Sequence, residues 1–181
     1  MAIQNLFSLP DGAGRRKMAG EELTAFFEHI HGHVPLELIT FVCIGTDRST
    51  GDALGPLVGS RLRSYGFMNV IGTLEQPCDA NNLKQQLETI PDDHTVIAVD
   101  ACLGQPGTVG SFIVSNNPLI PAQSVGTDLP AVGNYSIAAV VNVYGPKPYW
   151  TLQMTSLYQV MQMADQIAEA AAKAFALIQV S

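Results

Sequence analysis

Two aspartates sit where an α/β chain can carry acid–base chemistry. Asp52 closes the polar loop Gly45-Thr46-Asp47-Arg48-Ser49-Thr50-Gly51-Asp52, and Asp100 follows the apolar run Thr95 to Val99 and precedes Ala101-Cys102-Leu103-Gly104. Two carboxyls in one cleft can share a proton, one acting as general base while the other stays protonated as acid, because close like charges push their pKa values apart. Both ionised, they could instead hold a divalent metal, which requires at least one more oxygen ligand, with Asp47 the nearest candidate. In the first loop Thr46, Asp47, Arg48 and Gly51 are the candidate substrate-binding residues, while Gly45, Gly51 and Gly55 permit a tight turn that brings backbone N–H groups close to a bound group.

Ordinary structural roles compete with these. Asp52 can cap a helix beginning near Ala53; Asp47 and Arg48 can bond within their own loop; Thr46, Ser49 and Thr50 are plain loop hydroxyls. Asp100 is harder to explain that way, since an acid directly after Val96-Ile97-Ala98-Val99 must face a cleft or be paired.

Other chemistries fit less well. Cysteine nucleophiles need a histidine partner, and the histidines are His29, His31 and His33 before the first long strand and His94 just before Thr95. A strand of six residues spans roughly 17 to 20 Å, so His94 belongs at the opposite edge of the sheet from Cys102. The three early histidines read as a solvated helix end. Glycines from Gly45 to Gly59 match neither G-x-x-x-x-G-K-[ST] nor G-x-G-x-x-G. Neither a metal nor an organic cofactor is assigned.

Positioning these residues requires alternating strands and helices. Leu23, Phe26, Phe27 and Ile30 follow an i, i+3, i+4, i+7 helical spacing that ends near Gly32, and Leu36 to Ile44 reads as a strand buried on both faces. Ala53 to about Tyr65 is a helix stopped by Gly66. The pattern repeats with a strand over Met68 to Leu74, a helix over Asn81 to Ile90 and a strand over Thr95 to Val99 that Asp100 terminates. Gly107 to Val114 adds a strand, and Asn116 to Pro130 a surface loop. Gly133-Asn134 opens either a short helix through Val143 or, given its β-branched residues, a strand. Tyr149 to Gln153 is a last strand. Leu157, Val160, Met161, Ala164, Ile167 and Ala168 mark the buried stripe of a long C-terminal helix packed on the sheet. The expected architecture is an α/β three-layer sandwich around a mostly parallel sheet, with ligands at the carboxyl ends of its strands.

Composition sets the remaining bounds. The 181 residues suit a single domain, with residues 1–18 a flexible or loosely packed N-terminal segment. Sixteen acids against nine bases give a net charge of −7, and the longest basic run is Arg15-Arg16-Lys17, which argues against nucleic acid as a partner. Three cysteines without C-x-x-C spacing point to a reducing cytoplasm, and no stretch approaches the ~20 apolar residues of a membrane span.

The stretch Cys43-Ile44-Gly45-Thr46-Asp47-Arg48-Ser49-Thr50-Gly51-Asp52-Ala53-Leu54-Gly55-Pro56, with Val96-Ile97-Ala98-Val99-Asp100-Ala101 and Thr151-Leu152-Gln153-Met154-Thr155-Ser156, resembles the YyaC-like sporulation proteins of endospore-forming bacteria, a family related to the spore germination protease. The resemblance runs from about Leu38 to the C-terminal helix. It implies the fold of the hydrogenase-maturation peptidases (phosphorylase/hydrolase-like), and places Asp52 and Asp100 at the positions of the germination protease's catalytic acids. By the same resemblance the expected function is a sporulation-associated peptidase, acting on a protein or peptide such as the small acid-soluble spore proteins. A non-catalytic binding module and a metal-dependent hydrolase are the alternatives, and a homo-oligomer is possible. Gly51 stands where that protease has proline, and no histidine follows His94 to match the nickel-sensing histidine of the maturation peptidases.

Overall fold

A computed structural model describes residues 14–121 and 128–178. Six strands form one sheet: β1 (Arg15–Met18), β2 (Ile39–Cys43), β3 (Val70–Ile71), β4 (Thr95–Gly104), β5 (Phe112–Ser115) and β6 (Tyr135–Val143). Their spatial order is β1-β5-β6-β4-β2-β3. The four strands β3, β2, β4 and β6 run parallel, while β5 is antiparallel to β6 and β1 antiparallel to β5. The helices are α1 (Leu23–His31), α2 (Leu54–Tyr65), α3 (Leu83–Leu87), α4 (Pro148–Gln153) and α5 (Leu157–Ala174). Among the described residues no helix is long and apolar enough to cross a membrane.

Strand alternation divides the core in two. Along β4, Ile97, Val99, Ala101 and Leu103 join the larger cluster with the apolar stripes of α1, α2 and α5. Ala98 turns the other way, into a smaller cluster with Val42, Ile44, Cys78, Leu83 and Val132. The result is the expected three-layer α/β arrangement, with α1, α2 and α5 on one face and α3 on the other.

Several local expectations need correction. Residues 1–13 lie outside the described residues, but Arg15–Met18, assigned to the loose N-terminal segment, form an edge strand registered on β5, with Met18 buried. Three successive bases are suited to that place, because charges on an outer strand discourage edge-to-edge pairing. Residues 135–143 are a strand, not a helix: the Asn134 side chain accepts the Val96 N–H at 2.8 Å and sets the register with β4. Pro148 opens a helix where Tyr149 to Gln153 was read as a strand, its ring pre-setting the backbone at the first helical position.

Thr95 to Val99 is only half of β4, which continues to Gly104 alongside β6 through an irregularity at Cys102/Leu103. The strand near Met68 to Leu74 shrinks to Val70–Ile71, the one near Gly107 to Val114 shifts to Phe112–Ser115, and the Asn81 to Ile90 helix shortens to Leu83–Leu87. Of the loop over Asn116 to Pro130, residues 122–127 are outside the described residues, and Leu119 bridges Val132. The C-terminal helix buries Val160, Met163, Ala164, Ile167 and Ala168, mainly against α1 and α2, while Leu157 and Met161 of the expected stripe stay exposed.

Candidate active site

The chain leaves β2 for β3 on one side of the sheet and returns to place β4 on the other side, so strand order reverses between β2 and β4. At such a point the loops leaving the carboxyl ends diverge and open a crevice. Both acids belong to this edge. Pairing between β2 and β4 stops at Cys43 and Val99, and Ile44 donates its N–H to the Val99 carbonyl at 2.8 Å. Asp100 is therefore the first β4 residue whose β2-side neighbour has turned away, although the strand itself runs on.

The turn is made by Gly45, which has φ +149° and lies against the Asp52 carbonyl; a Cβ there would collide with that oxygen. Gly55 likewise lies directly on the Ile44 carbonyl. Thr46 donates its N–H to the Asp52 carbonyl at 3.1 Å, closing the loop on itself. Gly51–Ala53 form a single 3-10 turn before α2, so Ala53 and not Asp52 is the N-cap of that helix. Asp52 is thus not the capping residue considered for it, α2 has no side-chain cap, and Asp52 lines the crevice instead.

Asp52 and Asp100 are 3% and 4% exposed. Asp100 accepts the Ala101 N–H through Oδ1 at 2.8 Å. The Cys78 carbonyl accepts the Gly45 N–H at 2.9 Å, tying the start of the Asp52 loop to the segment that follows β3. Asp52 lines a cavity of about 580 Å³ with Thr46, Arg48, Ser49, Asp79, Ala80, Asn81, Pro148, Tyr149 and Leu152. Asp100 is not in its wall. Two residues further along the same face of β4, Cys102 lines a separate hollow of about 740 Å³. A still larger hollow, about 890 Å³, lies beside β3 among Ser60, Arg63, Gly72 and Gln76, and neither acid reaches it. Position at the strand reversal, rather than volume, selects the smaller cavity.

Of the four loop residues expected to meet a substrate, Thr46 and Arg48 line the cavity with Asp52. Asp47 is exposed and outside the lining. Gly51 is buried beneath α4, where a Cβ would come within 2.9 Å of the Leu152 side chain, so it lets that helix close over the loop. Arg48 is held locally, by Thr46 Oγ1 at 3.4 Å and by the Asp79 carboxylate at 3.5 Å.

Asp79, Asn81 and Tyr149 were not singled out from the sequence. The rule that selected Asp52 applies equally to the β3–α3 loop and could have found Asp79; Tyr149 was hidden by the strand reading of its segment. Asp79 also accepts the Asn81 N–H at 2.9 Å, ordering the entry to α3. Among the described residues no three His, Cys, Asp or Glu side chains gather as a metal site.

All four histidines lie at the amino edge of the sheet, where His94 Nδ1 shares a 2.8 Å hydrogen bond with Thr40 and His29 stacks on His33. They do not supply the crevice with the histidine of a nickel-sensing set. Burial, with Asp100 adding to it, raises the Cys102 thiol to about 12, so it is a poor nucleophile at neutral pH.

Residues 14–170 match the model of a family described as "Protein of unknown function (DUF1256)". The chain is 49% identical over 136 residues to the uncharacterized protein YyaC of Bacillus subtilis (strain 168), a match covering 72% of this chain and 66% of that relative, just under two thirds of its length. Among solved structures, a [NiFe] hydrogenase maturation protease, HycI from Thermococcus kodakarensis KOD1, superposes with a TM-score of 0.53 at 21% identity, over 83% of this chain and 99% of that one. That likeness extends to the fold. On these matches the chain belongs to the DUF1256 family, as a YyaC-like protein with the hydrogenase-maturation-protease fold.

Proposed function

We propose that this chain is a cytoplasmic, sporulation-associated peptidase that cleaves a peptide bond in a protein or peptide substrate, with Asp52 and Asp100 as its acid–base pair. One observation supports the reading: two acids, each almost wholly buried, belong to β4 and to the loop after β2, the strands between which the sheet reverses its order. Burial of an acid is costly, and core geometry does not call for an acid at either position. Asp52, which lines the cleft, takes a proton from the attacking water, and Asp100, which lies outside the cleft wall, returns a proton to the leaving amine by way of a shared water. Thr46 and Arg48 meet the substrate backbone, and Ala80, Pro148, Tyr149 and Leu152 supply an apolar wall that excludes bulk water.

The sporulation role and the choice of small acid-soluble spore proteins as first substrates rest on the family resemblance, and the cytoplasmic assignment on three free cysteines. The test is incubation of the purified protein with those substrates, beside Asp52→Asn and Asp100→Asn. Discrete fragments that disappear in both variants support the dyad. Full cleavage by Asp100→Asn would sink it, and cleavage abolished by a chelator and restored by a divalent ion would replace it with a metal-dependent hydrolase. Binding without cleavage would leave a recognition module.

A further inference from the structure

We infer that the face formed by α4 and the first turns of α5 is a homodimer interface, on which a second copy of this chain docks. Tyr149, Trp150, Met154, Leu157, Tyr158 and Met161 are 65%, 59%, 80%, 56%, 71% and 39% exposed. They fall within one stretch of chain, and Tyr149 and Trp150 pack edge to face at 6.4 Å. At these exposures six large side chains present on the order of 700 Å² of largely apolar surface. That sum approaches the ~800 Å² each partner gives to a stable interface.

Charge selects the occupant. The chain carries −7 overall, so two copies repel wherever acidic surfaces meet. From Pro148 to Ala164 there is no charged residue, and Lys147 is the nearest before Asp165. A two-fold axis through this face therefore brings together the same aromatic and methionine side chains from a stretch that itself carries no carboxylate, as a self-complementary contact requires. Helix burial points the same way: α5 already satisfies its inner stripe with Val160, Met163, Ala164, Ile167 and Ala168, so Leu157, Tyr158 and Met161 are surplus to the core. Tyr149 also lines the cleft, which places the second copy at the rim of the candidate active site. The inference is independent of the peptidase reading.

Sedimentation velocity of the full chain, from about 1 to about 100 µM, should give a species of twice 19.3 kDa. Trp150 is the sole tryptophan, so its emission should shift to the blue as the dimer forms. Trp150→Glu with Tyr158→Glu should weaken the dimer at least ~100-fold while the far-ultraviolet dichroism is unchanged. Met68→Glu, at a residue 78% exposed outside this face, should leave it intact. If the double variant misfolds, the single Met154→Glu and the wild-type Trp150 emission decide. A monomer at every concentration overturns the inference and leaves the face to a different partner; so does a dimer untouched by the Glu variants, or one broken equally by Met68→Glu.

Discussion

Both ends of the sheet carry titratable side chains, histidines at one and aspartates at the other, but treat them in opposite ways. At the amino edge His29 and His33 stack on each other, His33 Nδ1 bonds the His29 carbonyl at 2.7 Å, and His94 bonds Thr40. Every one of these contacts is local or structural. At the carboxyl edge Asp52 and Asp100 are buried beside a crevice that the strand reversal opens. Titratable type is therefore a poor guide by itself. What separates the ends is that loops diverge at the carboxyl edge and leave a hollow, whereas at the amino edge the histidines are taken up by contacts with one another and with Thr40.

The sharpest break of this comparison is mutational. Asp52→Asn and Asp100→Asn should each lower peptide cleavage by about 10² to 10⁴-fold with folding intact, because an amide keeps the size of the carboxyl but cannot exchange the proton. Steady-state cleavage rates beside thermal melts check this. A crystal structure should find the two carboxylates within about 4 to 8 Å of each other, room for a shared water; a wider separation ends the paired-acid mechanism.

Next in size is the junction that holds the acids. Gly55→Val places a side chain on the Ile44 carbonyl and should cost about 3 kcal/mol or more, read from urea unfolding. A variant of near wild-type stability would mean that the loop is not the rigid support described above.

A smaller effect concerns the thiols near Asp100. Burial raises Cys78 and Cys102 from 9.0 to about 12, so the folded chain holds their protons more tightly than the unfolded one. Their contribution to stability is complete below about pH 9 and is lost as pH rises from there toward 12. Cys102→Ala should flatten that alkaline fall, measured as the melting temperature against pH, and the native protein should react slowly with thiol reagents at neutral pH.

The mildest change belongs to the other edge. His94→Ala removes the bond to the buried Thr40 hydroxyl and should cost about 1 kcal/mol while cleavage stays unchanged. A large loss of activity there would erase the distinction between the two ends.

Much of this was legible from residue order alone. Apolar runs of strand length alternating with helical spacing specify a parallel sheet, an inference that needs only local periodicity. Gly66 stops α2 in the left-handed conformation at φ +100°, as its place in the pattern implies. Tertiary structure alone decided the rest. Residues 135–143 became a strand because β4 offers a free edge and Asn134 registers on Val96, while Arg15–Met18 were ordered by the edge of β5. Whether Asp79 and Tyr149 share a cavity with Asp52 depends on which strands are neighbours and on how α4 folds back over Gly51. Those are contacts between segments far apart in the chain, and local propensity carries no information about them.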